Sequence, residues 1–150
     1  MTTVIHRNVD AARAGTNEKV IARMRSGWAV MGDTQFLPGY SLLLPDPVVP
    51  SPNDMAEEAR AQFFRDMVLL GDAVLRVTGA DRINYEILGN LEPALHAHVF
   101  PRHGREPAAM RVRPVWFYGD ERDKTPFDLT RDRPLMDKIA AALKDLGGIA

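Results

Sequence analysis

The chain predicts an α+β fold: an antiparallel β-sheet with a long central helix and a C-terminal helix. Three observations support this. Strand-like stretches come in two neighbouring pairs, over 28–44 and 81–102, with turn residues inside each pair, as in hairpins. Between the pairs Met55, Ala59, Phe63, Met67, Leu70, Val74 and Val77 recur at spacings of three and four, the stripe of an amphipathic helix. Near the end Leu135, Ile139, Leu143 and Leu146 repeat that spacing. Strands and helices that are grouped along the chain, and do not alternate one by one, fit an antiparallel sheet with helices packed on it.

Taken in order, residues up to about Ala14 carry little pattern. Thr16 or Asn17 can cap a short helix from Glu18 to Arg25, with Val20, Ile21 and Met24 as its apolar side and Gly27 as its stop. Trp28 to Met31 reads as a strand and Gly32–Gln35 as a turn. Phe36 to Leu44 reads as a second strand, interrupted by Pro38-Gly39, which marks an edge or bulge. Four prolines over 45–52 dictate an extended connector. Asn53 or Asp54 can cap the long helix, and Glu57 and Glu58 suit its positive end. It ends near Thr78-Gly79, about 24 residues and roughly 36 Å long. Asp81 to Leu88 alternates as a strand, Gly89-Asn90 turns, and a histidine-bearing strand follows over 91–102. Pro114 to Tyr118 is aromatic and fits a last strand or a dimer contact. Residues 120–133 read as a polar loop, after which Pro134 opens the final helix and Gly147-Gly148 stops it.

A length of 150 residues suits one domain, here 1–150, and can bury a sizeable core. The net charge of −1 argues against a surface built to bind nucleic acid. The absence of cysteine removes disulfides, thiolate catalysis and Cys-type zinc sites. No apolar run spans a membrane and the N-terminus lacks the apolar run of a signal peptide, so a cytoplasmic protein is expected.

The chemistry concentrates in Leu91-Glu92-Pro93-Ala94-Leu95-His96-Ala97-His98-Val99-Phe100-Pro101-Arg102. On a strand, residues two apart share a face. His96 and His98 therefore stand side by side, flanked by Ala94 and Phe100, while Leu95, Ala97 and Val99 fill the opposite face. Two adjacent imidazoles resist double protonation, so at least one is neutral near pH 7. A neutral imidazole can act as nucleophile, general base or metal ligand. After the strand, Arg102, Arg105, Arg111 and Arg113 against Glu106 alone leave a local charge of +3, suited to an acidic substrate or to a solvated loop.

His96-x-His98-apolar-apolar-Pro101-Arg102 resembles the latter part of the histidine triad (HIT) motif, His-x-His-x-His-apolar-apolar, often followed by Pro-Arg. On that frame His98 matches the third histidine, His96 matches the middle one, and Ala94 stands in place of the first. Pro38-Gly39-Tyr40 followed by an apolar run to Pro45 resembles the family's Pro-Gly-His segment, with Tyr40 where histidine is frequent. Asn84 and Gly89-Asn90 also match residues common before the motif. The resemblance spans roughly 28–102 and leaves 103–150 as a C-terminal extension.

The resemblance implies a strongly curved antiparallel sheet, usually in a homodimer, and a nucleotidyl hydrolase or transferase. Its substrates would be dinucleoside polyphosphates, nucleoside phosphoramidates or nucleotide sugars. His96 would be the nucleophile and His98 a donor to a phosphate oxygen or to the leaving-group bridge, with a carbonyl fixing the tautomer of His96. Asn84 and Asn90 would hold phosphate oxygens. Trp28, Val30 and the Gly32-Asp33 turn would wall the base and ribose, Asp33 accepting from the ribose, and Arg102 would help bind substrate. No cofactor, metal, membrane or nucleic-acid partner is implied. Alanine in the first position is expected to lower the rate or leave a nucleotide-binding relative without turnover. A zinc site built on His96 and His98 is the competing expectation. It needs a third ligand, for which His103, Glu92, Glu106 and His6 are candidates.

Overall fold

The structure is a computed structural model, which describes residues 2–150. Five antiparallel strands, β1 (Val20–Arg23), β2 (Gly27–Met31), β3 (Ser41–Pro45), β4 (Arg82–Glu86) and β5 (Ala97–Arg102), form one sheet in the order β1-β2-β3-β5-β4. Helices α2 (Glu57–Thr78) and α3 (Leu129–Asp145) cover one face. The expected α+β class, with its long and C-terminal helices, is therefore present.

The main core lies between that face and the two helices. Phe63, Met67, Leu70 and Val74 of α2 meet Met31, Leu43, Ala97 and Val99 of the sheet, and Met136, Ile139 and Leu143 of α3 complete it. The inward set Leu95, Ala97 and Val99 and the α2 stripe from Phe63 onward are as the spacing predicts, whereas Met55 precedes the helix and Ala59 is exposed. A smaller apolar cluster on the other side joins Ile5 and Val9 to Val30, Leu44 and Ala94. A third joins Leu37, Tyr40, Phe100 and Val115. Among the described residues no helix is long and apolar enough to cross a membrane.

Several boundaries differ from the sequence reading. The helix expected over 18–25 is instead strand β1; Val20 and Ile21 are β-branched and pair better than they coil. The first helix is α1 (Val4–Arg13), opened by a capping box in which the Thr3 hydroxyl accepts from His6 N–H and the His6 ring accepts from Thr3 N–H. Histidine at a position usually held by Glu or Gln hid that signal. The second strand begins at Ser41 and not Phe36, because Gln35 organises 35–40 as a turn: its amide donates to the carbonyls of Gly32 and Tyr40 and accepts from Gly39 N–H. Asn53 and Asp54 lie in a single 3-10 turn, and α2 starts after Ala56 with no side-chain cap. The histidine strand begins at Ala97, leaving 91–96 as loop. Val115–Lys124 forms 3-10 turns and not a strand, so the aromatic run packs as separate side chains. Helix α3 opens at Leu129, capped by Asp128, and not at Pro134, which lies inside its second turn and leaves the Thr130 carbonyl without its i+4 donor.

Candidate active site

His98 lies on β5, opposite Leu42 on one side and Glu86 on the other. His96 lies one residue before the strand begins. Both are buried, and their ring centroids are 5.0 Å apart at 77°. The expected side-by-side pair is formed.

Each ring is held by a partner that fixes its tautomer. His96 Nδ1 lies 2.7 Å from the carbonyl oxygen of Ala94. A carbonyl can only accept, so Nδ1 carries the proton, and in the neutral ring Nε2 keeps its lone pair. His98 Nδ1 lies 2.7 Å from the Tyr40 hydroxyl. That phenol is buried and His98 is its one polar partner among the described residues. Burial first, and then the charge of Asp33, raise its pKa well above the ordinary value, so it stays protonated. It donates to Nδ1, which leaves the His98 proton on Nε2. One ring thus offers a lone pair and its neighbour offers an N–H. Burial, and then the neighbouring His96, push the pKa of His98 down to about 4, so at neutral pH it is an uncharged hydrogen-bond donor.

Aromatic rings set the position of His98. It stacks on Phe100 at 5.4 Å and 9°, and Phe100 stacks on Tyr40 at 4.1 Å. Trp116 stands edge-on to His98 at 5.4 Å, its indole N–H bonded to Glu86 and its ring covered by Arg122 at 4.7 Å. Position 116 appeared in the sequence only as part of an aromatic run.

His96 opens onto two cavities. One, of about 220 Å³, also holds His98 and is walled by Ile5, Asn8, Lys19, Val30 and Asp33. Lys19 Nζ pairs with Asp33 at 2.8 Å. The other, of about 280 Å³, lies against Ser51, Asn53, Leu88 and Gly89. The contribution of α1 and of Asn17 and Lys19 to the first wall escaped the sequence reading, because the N-terminal segment was taken as unpatterned. Ile5, Val9 and Ala12 at helical spacing were its available signal.

The other candidate residues are more scattered. Asp33 joins the first cavity, and Val30 lines it. Trp28 packs behind that wall with its indole N–H on Asp46 at 3.0 Å, and lines neither cavity. Asn90 is exposed on the loop before the motif. Asn84 lines neither cavity; its Oδ1 accepts from Arg102 at 2.7 Å. Arg102 is buried and bonds Glu106, Asn84 and the carbonyls of Met110 and Arg113, so it braces the segment that carries Trp116. Three of the four candidate third metal ligands are engaged in other contacts, and the fourth, His103, faces elsewhere. His6 serves the α1 cap, and Glu92 accepts from Val4 N–H at 2.6 Å. Glu106 holds Arg102 and Tyr118, and His103 lines a different groove. Among the described residues no group of three or more His, Asp or Glu is placed to hold a metal ion.

No family model and no curated protein matches the sequence. Solved structures do match the fold. A histidine triad protein from Marinobacter aquaeolei aligns with a TM-score of 0.73 and 20% identity, over 97% of this chain and 99% of that one. A histidine triad protein from Bradyrhizobium japonicum aligns with a TM-score of 0.70 and 25% identity, over 82% and 88%. A hypothetical histidine triad nucleotide-binding protein from Sulfolobus tokodaii aligns with a TM-score of 0.72 and 12% identity, over 93% of each chain. In fold, the chain is a histidine triad-like protein.

Proposed function

We propose that the chain binds a nucleotide and transfers or hydrolyses its nucleotidyl group through His96. The observation that carries this reading is the complementary pair: the Ala94 carbonyl on His96 Nδ1–H leaves a lone pair on Nε2, and the Tyr40 hydroxyl on His98 Nδ1 leaves an N–H on Nε2. The nucleoside occupies the first cavity, with Asp33 accepting from the ribose, and the leaving group extends into the second.

His96 Nε2 attacks the α-phosphorus, forming an N–P bond as the bond to the leaving group breaks and its electron pair departs with that group. The Ala94 carbonyl stays on Nδ1–H and stabilises the charge that the ring gains. His98 Nε2–H donates to a phosphate oxygen or to the leaving oxygen. Water then attacks phosphorus, the N–P bond breaks, and nucleoside monophosphate leaves with the water's proton passing to solvent. With its pKa near 4, His98 donates a hydrogen bond and not a proton at neutral pH. A phosphate, which departs as a stable anion, therefore suits the site better than an amine, which must be protonated to leave. Asn8 on the first cavity wall, Asn53 on the second and Asn90 on the adjoining loop remain to steady the phosphate.

The test is turnover, in chelator, of a diadenosine polyphosphate, an adenosine phosphoramidate and a nucleotide sugar by wild type and by His96→Ala. Wild type is expected to release nucleoside monophosphate, fastest from the polyphosphate, and His96→Ala to lose at least about a thousandfold of that rate. Equal rates in the two proteins would overturn the nucleophile. Tight nucleotide binding without turnover would reduce the function to binding.

A further inference from the structure

Beyond the histidines, on the same face of the sheet, an open groove of about 720 Å³ runs between β4 and residues 111–114. Glu86 lies opposite His98, Asn84 opposite Phe100 and Arg82 opposite Arg102. Four residues of strand at roughly 3.3 Å each therefore separate the far end of the groove from His98, about 13 Å.

The charges in the groove are uneven. Arg102 is consumed by its own bonds to Glu106, Asn84 and two carbonyls. Both carboxylates of the lining are also engaged: Asp81 accepts from Gly104 N–H and Glu86 from the Trp116 indole. Arg82, Arg111 and Arg113 differ, since among the described residues none of them pairs with a carboxylate. Arg111 gives one N–H to the Gly104 carbonyl and Arg113 lies over Phe117 at 5.1 Å, which leaves donors on both.

His103 lines the same groove and is only 6% exposed. Its backbone N–H donates to Glu106, but its ring makes no hydrogen bond among the described residues. Its ring nitrogens reach the solvent of the groove and are free to bond what enters it. Three guanidiniums with free donors and one unpartnered imidazole form a set suited to phosphate oxygens. Their spread along the groove suits several linked phosphates better than one.

We propose that this groove is a second anion site, separate from the histidine pair, that binds a small oligophosphate through Arg82, Arg111 and Arg113 with His103 donating from its floor. The proposal does not depend on nucleotidyl transfer at His96.

Calorimetric titration of the full chain with inorganic tripolyphosphate tests it. The proteins compared are wild type, Arg111→Glu/Arg113→Glu and His96→Ala, with the His103 imidazole resonances followed in wild type. Saturable binding is expected, weakened at least tenfold in the double variant and within twofold of wild type in His96→Ala, with the His103 resonances moving as the site fills. Arg113 holds Arg102 through its carbonyl and not its side chain, so the substitution spares that contact. Should the double variant unfold, Arg111→Gln/Arg113→Gln gives the same reading with a smaller loss. No saturable binding in wild type would overturn the proposal, as would full binding in the arginine variants. Loss in His96→Ala alone would assign the anion to the histidine pair and overturn it equally.

Discussion

At position 94 the side chain is a methyl group, 1% exposed and packed with Ile5, Val9, Val30 and Leu44, while the carbonyl of the same residue accepts from His96. The departure from the motif was visible in the sequence, and it suggested a weakened site. The carbonyl expected to fix the His96 tautomer is that of Ala94 itself, a backbone contact that any residue supplies. Tyr40 was equally visible as a stand-in for histidine, but its bond to His98 depends on β3 and β5 pairing so that Leu42 lies opposite His98. Restoring the motif by Ala94→His would force an imidazole in among Ile5, Val9, Val30 and Leu44. Overpacking of this kind costs about 1–3 kcal/mol, and a ring nitrogen without a partner adds to it. Urea unfolding is expected to report that loss, with turnover no higher than wild type. A variant as stable as wild type and faster would mean that the site lacks something the imidazole supplies.

The elements that build the site meet at close quarters in the turn between β2 and β3. A Cβ added to Gly32 would lie 2.3 Å from two ring carbons of Tyr40. That ring cannot retreat freely, since it is stacked on Phe100 at 4.1 Å and bonded to His98. Gly32→Ala should therefore lower stability by about 1–3 kcal/mol and, by tilting Tyr40, lower kcat while the fold persists. Thermal unfolding and turnover measured together check this. Unchanged turnover in a destabilised variant would mean that Tyr40 does not set the geometry of His98. The legibility of the elements follows the same logic. Helix α2 was readable because its buried face follows the helical period, and β5 because its apolar residues and histidines alternate between two faces, both of them buried. The 18–25 segment was not, because a four-residue strand with three apolar neighbours fits either period, and only pairing with β2 decides it. Val115–Lys124 was opaque for a related reason: its place depends on Arg102 gripping the carbonyls of Met110 and Arg113 from β5, a contact with no local signature.

Across the whole molecule the histidine pair is buried between the sheet, α1 and the 115–124 segment, and this couples the site to folding. Burial first, and then His96, hold His98 at a pKa of about 4, whereas the unfolded chain restores the ordinary value of 6.5. Above about pH 6.5 neither state binds the proton and the full native stability is present. As pH falls between these values the unfolded chain takes up a proton that the folded site refuses, so stability declines, by roughly 3 kcal/mol at the lower end. His103 and Glu106, both lowered as well, lose stability in the same direction on acidification, so wild type alone cannot isolate the contribution of His98. The measurement is therefore a difference: unfolding free energy against pH for wild type and for His98→Gln. The variant is expected to be less stable at pH 7, since Tyr40 loses its partner, but to decline less steeply between pH 6.5 and 4. The two curves should converge on acidification. Parallel curves would show that His98 titrates near its ordinary value in the folded protein, and with that the assignment of an uncharged Nε2–H donor at the site would fall.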